Sequence, residues 1–300
     1  MRTPCSLIMS MFLLASPAVA DDSCHLVRMA AFDVTINSAG GVSVPSTISG
    51  QSVNLLVDTG AIFSMLTEQS VQRLELKKLR AFGSGEAMFG GKKIDYYVET
   101  NDVNLGGLRA DHMPMQVLPE GIVPNDIGGI LAPNIMQHYD VDFDFANAKF
   151  NLFSPDHCEG QVVYWTVTPA AVITIGVDKE GHIVVPVVVD GQEIKATIDT
   201  GASRSVLSLE LAKQLFAIAG TDPKLTQTKG RWHAQHYPFA TLTLQGITVQ
   251  NPDLELVSDA ESHVPDQSPK LILGMGILRQ LHLYIAYREK KLYVTAASAH

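Results

Sequence analysis

Apolar residues along this chain come in short runs bounded by turn residues, and most of the runs have the length and β-branched content of strands. Val184–Val189 and Glu193–Ile198 flank Asp190-Gly191, which predicts a tight β-hairpin. Val42–Ile48 and Val53–Val57 flank Ser49-Gly50 and predict the same element earlier in the chain. A short helix is expected after each hairpin. Thr67 and Ser208 are suited to cap these helices, and Glu68 and Glu210 fall in the first turns, where a carboxylate favours the helix dipole. Tyr96–Glu99, Val141–Phe145, Phe150–Phe153, Thr241–Leu244 and Leu283–Tyr287 add further strands, so the chain reads as mostly β.

The two hairpins belong to an internal repeat. At an offset of 141, twelve of 35 positions are identical between Gly40–Leu74 and Gly181–Leu215, including Val44-Pro45, Gly50-Gln51, Asp58-Thr59-Gly60-Ala61 and Ser64 with their counterparts. Further on, Ile130-Leu131-Ala132 lies opposite Ile272-Leu273-Gly274, and Phe145–Phe150 opposite Tyr287–Leu292. Each half is one structural unit of ordinary domain size. The expected organisation is an export signal over 1–20, one lobe over 21–153, a connector over 154–166 and a second lobe over 167–300.

The amino-terminal segment has one positive charge at Arg2, an apolar stretch from about Leu7 to Leu14, and the small-residue pattern Ala18-Val19-Ala20. This is the form of a secretory signal, and the apolar stretch is short of the roughly 20 residues that a membrane-spanning helix needs. The expected location is therefore exported, periplasmic or secreted, without stable membrane insertion after cleavage. Removal of the signal takes Cys5 and leaves Cys24 and Cys158. Two cysteines in an oxidising compartment read most simply as one disulfide; a nucleophilic thiol at Cys158, beside His157, is the alternative.

Composition narrows the function classes. Of 300 residues, 46% are hydrophobic and 18% charged, which is enough to bury a core. A net charge of −9 without any Lys/Arg run lacks the electrostatic footprint of a nucleic-acid binder.

Chemistry concentrates in Asp58-Thr59-Gly60-Ala61 and Asp199-Thr200-Gly201-Ala202. One such Asp-Thr-Gly triplet arises by chance in about one chain in twenty of this length, and alone it would read as a solvated turn. Two at equivalent places, each after an apolar strand and before Ala-x-x-Ser, call for a shared role. Related lobes facing one another about a pseudo-two-fold axis would bring Asp58 and Asp199 together. Two close carboxylates share one proton, leaving one general base and one general acid. Such a pair can activate water against an amide with neither a cofactor nor a metal. Thr59 and Thr200 would hydrogen-bond across the axis, and Gly60 and Gly201 would allow close backbone approach.

On these motifs the chain resembles the retropepsin-like aspartic proteases, in the duplicated single-chain form found among secreted bacterial aspartyl proteases. The resemblance implies two β-barrel lobes with the active site between them, catalytic Asp58 and Asp199, supporting loops Thr59–Ala61 and Thr200–Ala202, and a monomer that takes an extended peptide or protein. It also implies a β-hairpin flap. Gly83–Lys92, with Gly85 and Phe89, and Thr226–Tyr237, with Trp232, His233 and His236, are the flap and substrate-binding candidates. Two departures stand out. Ala132 replaces the glycine that the second lobe keeps at Gly274, and is expected to be tolerated. Ala61 and Ala202 stand where pepsin-like enzymes tend to carry a hydroxyl, so the dyad is expected to be less acidic and activity to extend toward near-neutral pH.

Other constellations carry less. His233 and His236 are three apart on an expected strand and lack a third metal ligand. Asp140, Asp142 and Asp144 share one strand face, lack the glycine and distal glutamate of a calcium loop, and are expected to form a solvated face. A glycosidase would set its carboxylates about 5 Å or more apart and has no use for two Asp-Thr-Gly copies. A catalytically inactive peptide-binding or scaffold protein of the same fold is the rival reading.

Overall fold

The computed structural model describes residues 25–37, 40–80, 88–228, 233–262 and 268–298. The expected hairpins form as Val42–Ile48 with Gln51–Val57 and as Ile183–Val189 with Gln192–Ile198. Both turns place their two central residues at positive φ: Ser49 and Gly50 at 50° and 75°, Asp190 and Gly191 at 42° and 83°. That geometry matches the twist of the flanking strands and suits Asp-Gly and Ser-Gly. The helices Glu68–Arg73 and Leu209–Phe216 are capped as expected: the Thr67 and Ser208 hydroxyls accept the N–H groups of Ser70 and Leu211.

The two lobes are built alike. In lobe 1, Gly129–Leu131 inserts between Gln51–Val57, to which it runs parallel, and Met65–Thr67, to which it runs antiparallel. In lobe 2, Leu271–Leu273 inserts in the same way between Gln192–Ile198 and Ser205–Ser208. Lobe 1 closes into a barrel where Thr47 and Ile48 pair with Asn104 and Val103. Lobe 2 stays an open half-barrel, its outer hairpin Thr241–Leu244/Ile247–Gln250 leaving one edge free of the Leu254–Val257 strand. Among the described residues no helix is long and apolar enough to cross a membrane.

A six-stranded sheet joins the lobes, with Asp140–Asp144 of lobe 1 paired antiparallel to Leu281–Ala286 of lobe 2. This sheet overturns the expectation of a solvated aspartate face. Asp140 and Asp142 are fully buried. Asp140 is bonded to His157 Nε2 at 2.5 Å and takes the Tyr284 hydroxyl at 3.2 Å. Asp142 takes the Tyr164 hydroxyl and His282 Nε2 at 2.7 Å and the Asn151 amide at 2.8 Å. The connector covers this face, and Trp165 stacks on the His282 ring at 4.3 Å. Alternation along the strand placed the aspartates on one face; the covering partners lie far away in sequence.

Candidate active site

Each Asp-Thr-Gly leaves the end of a central strand. The Asp58 N–H is held by the Leu131 carbonyl at 3.0 Å and the Asp199 N–H by the Leu273 carbonyl at 2.9 Å, so the inserted strand fixes where each aspartate emerges. The chain then folds back on the carboxylate. Asp58 Oδ1 accepts the N–H groups of Gly60 and Ala61 at 2.9 and 3.0 Å, and Asp199 Oδ1 accepts those of Gly201 and Ala202 at the same distances. The repeated serines tie this loop to the strand beside it. Ser64 Oγ accepts the Ala132 N–H, and Ser205 Oγ accepts the Gly274 N–H, both at 3.0 Å.

The lobes meet through the threonines. The Thr59 N–H donates to Thr200 Oγ1 at 3.1 Å and the Thr200 N–H to Thr59 Oγ1 at 3.0 Å. Each hydroxyl then donates onward, Thr59 to the Ile198 carbonyl at 2.8 Å and Thr200 to the Val57 carbonyl at 2.7 Å. The glycines are needed at this approach. A Cβ on Gly201 would strike the Asp58 carboxyl, and one on Gly60 would lie 2.6 Å from Asp199 Oδ1.

This clasp sets each carboxyl against the glycine of the opposite loop, so that Asp58 and Asp199 face one another closely enough to interact electrostatically. Asp58 is only 5% exposed. Burial pushes its carboxyl well above the ordinary carboxylate range, and the facing Asp199 adds to this, against the Gly60 and Ala61 amides. Burial also raises Asp199, opposed by the Ala202 and Gly201 amides, the Asp58 hydrogen bond and the charge of His182. Such a pair holds one proton over a range in which separate aspartates would both be ionised.

The surroundings differ between lobes. Met88–Phe89 and Lys92–Lys93 form a small hairpin within the first flap candidate, and Phe89 packs on the cluster that contains Ala61, Ile130 and Ala132. Thr226–Gln227 and Gln235–His236 pair within the second candidate. His233 there is exposed and bonded to Glu261 at 2.7 Å. Gly85, Trp232 and Cys24 lie outside the described residues. After Ala61 the loop carries Ile62 and Phe63, both exposed, whereas lobe 2 carries Ser203 and Arg204, with Arg204 bonded to Glu255 at 2.6 Å. Asp178, Glu180 and His182 also cluster, but Asp178 is engaged by His182 and Glu180 by Lys179, so we identify none of them as a metal ligand.

Comparison with known proteins agrees with this geometry. The family model described as aspartyl protease matches twice, over residues 44–133 and 185–277, and each match contains one Asp-Thr-Gly. No curated protein sequence matches the chain. Among solved structures, basic 7S globulin from soybean is similar in fold, with a TM-score of 0.56 at 10% identity, over 91% of this chain and 97% of that one. With two family matches in tandem and one aspartate supplied by each, the chain belongs to the aspartyl protease family.

Proposed function

We propose that this protein is an aspartic endopeptidase of the retropepsin-like type, with Asp58 and Asp199 as its catalytic pair. The observation that carries the reading is the approach of the buried Asp58 carboxyl and the half-buried Asp199 carboxyl across the interlobe axis, each cradled by two backbone amides of its own loop. The ionised member takes a proton from water as the oxygen attacks the scissile carbonyl carbon. The protonated member donates to the carbonyl oxygen. Collapse of the tetrahedral diol breaks the C–N bond, the nitrogen leaves with the proton taken from water, and the diol returns a proton to the other carboxyl. An extended peptide between the lobes supplies the substrate, with alternate side chains in pockets on either side.

The remaining parts of this reading concern context. The 1–20 segment serves export to the periplasm or medium, Cys24 pairs with Cys158, and the mature chain acts as a monomer on exported proteins. The decisive experiment purifies the chain without residues 1–20, together with Asp58→Asn and Asp199→Asn, and follows cleavage of an unfolded protein across pH. We expect cleavage by the parent and a loss of at least about a hundredfold in each variant. Equal cleavage by all three removes the pair from the mechanism. Binding of unfolded protein without cleavage by the parent favours a peptide-binding scaffold.

A further inference from the structure

The two aspartates occupy equivalent places, yet the residues across from them differ. In lobe 2 the pairing of Ile183–Val189 with Gln192–Ile198 ends at Ile183 opposite Ile198. One step further in the same register, His182 stands opposite Asp199. On the other side of His182, the pairing with Gly176–Val177 ends at Val177 opposite Ile183. Asp178 therefore stands opposite His182, and its N–H meets the His182 carbonyl at 3.2 Å. Asp178, His182 and Asp199 form a row across three neighbouring segments. Directly opposed residues project to one face. Ile183 and Ile198 fill the core, so the row lies on the other face.

The imidazole is held from behind. His182 Nδ1 bonds Asp178 Oδ2 at 2.8 Å, and Asp178 Oδ1 accepts the N–H groups of Glu180 and His182 at 3.0 and 2.9 Å. His182 Nε2 is buried with no hydrogen-bond partner among the described residues. Among the described residues, the charged and titratable groups that interact with this turn include Asp178, Lys179 and Glu180 on the turn itself, Asp199 across the strand pair, and Tyr287, which feels the charge of Asp178. Lys179 and Glu180 pair with each other at 3.2 Å. From lobe 1 the neutral Pro133 and Gln137 press on this turn at Gly181.

Lobe 1 does not copy this arrangement. Its pairing reaches Ser43 opposite Leu56, and two steps further Gly41 stands opposite Asp58. A Cβ on Gly41 would fall 2.7 Å from Leu56 Cδ1 and 2.8 Å from Asn37 Nδ2. The position facing Asp58 carries no side chain.

We propose that His182, oriented by Asp178, is a positioning residue that breaks the symmetry of the dyad, so that Asp199 is the ionised base and Asp58 holds the shared proton as the acid. This rests on the protease reading above. Histidine carries a proton in the acidic range where aspartate pairs work, and a one-sided cation favours the carboxylate nearest to it. The charge of His182 opposes the burial that raises Asp199. Asp58, facing Gly41, is raised further by the facing Asp199. In the first step Asp199 then takes the proton of water and Asp58 gives its own to the carbonyl oxygen; in the second, Asp199 protonates the leaving nitrogen and Asp58 is reprotonated by the diol.

The test is a site-resolved ¹³C-carboxyl titration of the mature chain labelled at aspartate, run with a pH–rate profile on the parent, His182→Gln and His182→Lys. Asp199 should ionise before Asp58. His182→Gln should move the lower titration up by about half to one pH unit, with the acid limb of kcat following and KM little changed, and His182→Lys should restore the order. Asp58 ionising first in the parent, or a folded His182→Gln with an unchanged order, overturns the proposal. If neither variant folds, the order in the parent decides alone. A His182-dependent order in a chain that cleaves nothing refutes the protease reading and keeps the dyad assignment. Normal cleavage with a His182-independent order does the reverse.

Discussion

Thr59→Val removes one hydroxyl while keeping the shape of the side chain. Thr59 is fully buried, so the change acts on hydrogen bonds rather than on exposure. Two bonds are lost: the Ile198 carbonyl loses its donor, and the Thr200 N–H loses its acceptor. The other two across the axis stay, because Thr200 Oγ1 accepts one from the Thr59 N–H and donates the other to the Val57 carbonyl. A buried group left without a partner costs about 1–3 kcal/mol, so two stranded backbone groups cost about 2–6 kcal/mol. For a chain of this size that is a fall in melting temperature of about 5–15 °C. Thr59→Ser keeps the hydroxyl and should stay within about 1 kcal/mol of the parent, and Thr200→Val should match Thr59→Val because the bonds mirror one another. Urea unfolding and calorimetry on the four proteins measure this directly. Because the same bonds hold the aspartates together, kcat should fall with stability in both valine variants. A Thr59→Val protein within about 0.5 kcal/mol of the parent would mean that these bonds are not what clasps the lobes.

Other substitutions and conditions test separate links. Gly274→Ala should destabilise by about 2–4 kcal/mol, since its Cβ would overlap the Arg204 carbonyl and lie 2.7 Å from the Ala202 oxygen. Ala132→Gly, at the equivalent crossing, should cost only about 1 kcal/mol in urea unfolding. For pH, burial opposes charge on His157, but the Cys158 carbonyl and Asp140 outweigh it and raise its pKa; burial also raises Asp140, Asp58 and Asp199. A group raised in the folded state adds stability below its free pKa and loses it as pH rises through the folded value. Urea midpoints should therefore fall from pH 5.5 to pH 8.5, and less so in His157→Gln. The raised pair also moves the one-proton window upward, so the pH–rate profile should extend into mildly acidic or near-neutral conditions; activity confined to strongly acidic pH would refute this.

What the sequence made legible was what the repeat states twice. The hairpin turns, both helix caps, the paired Asp-Thr-Gly loops and the serines that follow them recur at one offset, and all depend on contacts within a few residues or on the axis that relates the copies. Leu108–Leu118 was missed as a strand because its polar residues and Pro114 hide the alternation, although it pairs with Tyr96–Leu105 along its length. The aspartates at 140 and 142 were misread for another reason. Periodicity tells which residues share a face and is silent about what covers it, and here the cover is Tyr164 and Trp165 from the connector and His282 and Tyr284 from the other lobe. His182 was overlooked because a single histidine before a strand carries no pattern. Its signal was the mismatch with Gly41 inside an otherwise well-matched repeat.

That contrast separates two kinds of constraint on a duplicated chain. Residues that build the axis face their own counterparts, so a change in one copy must be met in the other: Thr59 needs Thr200, and Gly60 and Gly201 each leave room for the opposite aspartate. These stay identical. Residues that face one lobe's own interior answer to local packing alone and are free to diverge, as Ala132 and Gly274 have, or the hairpins at Phe89 and His236. His182 is of the second kind in its packing and of the first kind in its effect, because it stands beside one aspartate of a pair that shares a proton. A chemical step with distinct acid and base roles gains nothing from symmetry between them. A single difference between the copies, histidine in one where the other has glycine, is enough on this proposal to assign those roles without disturbing the clasp.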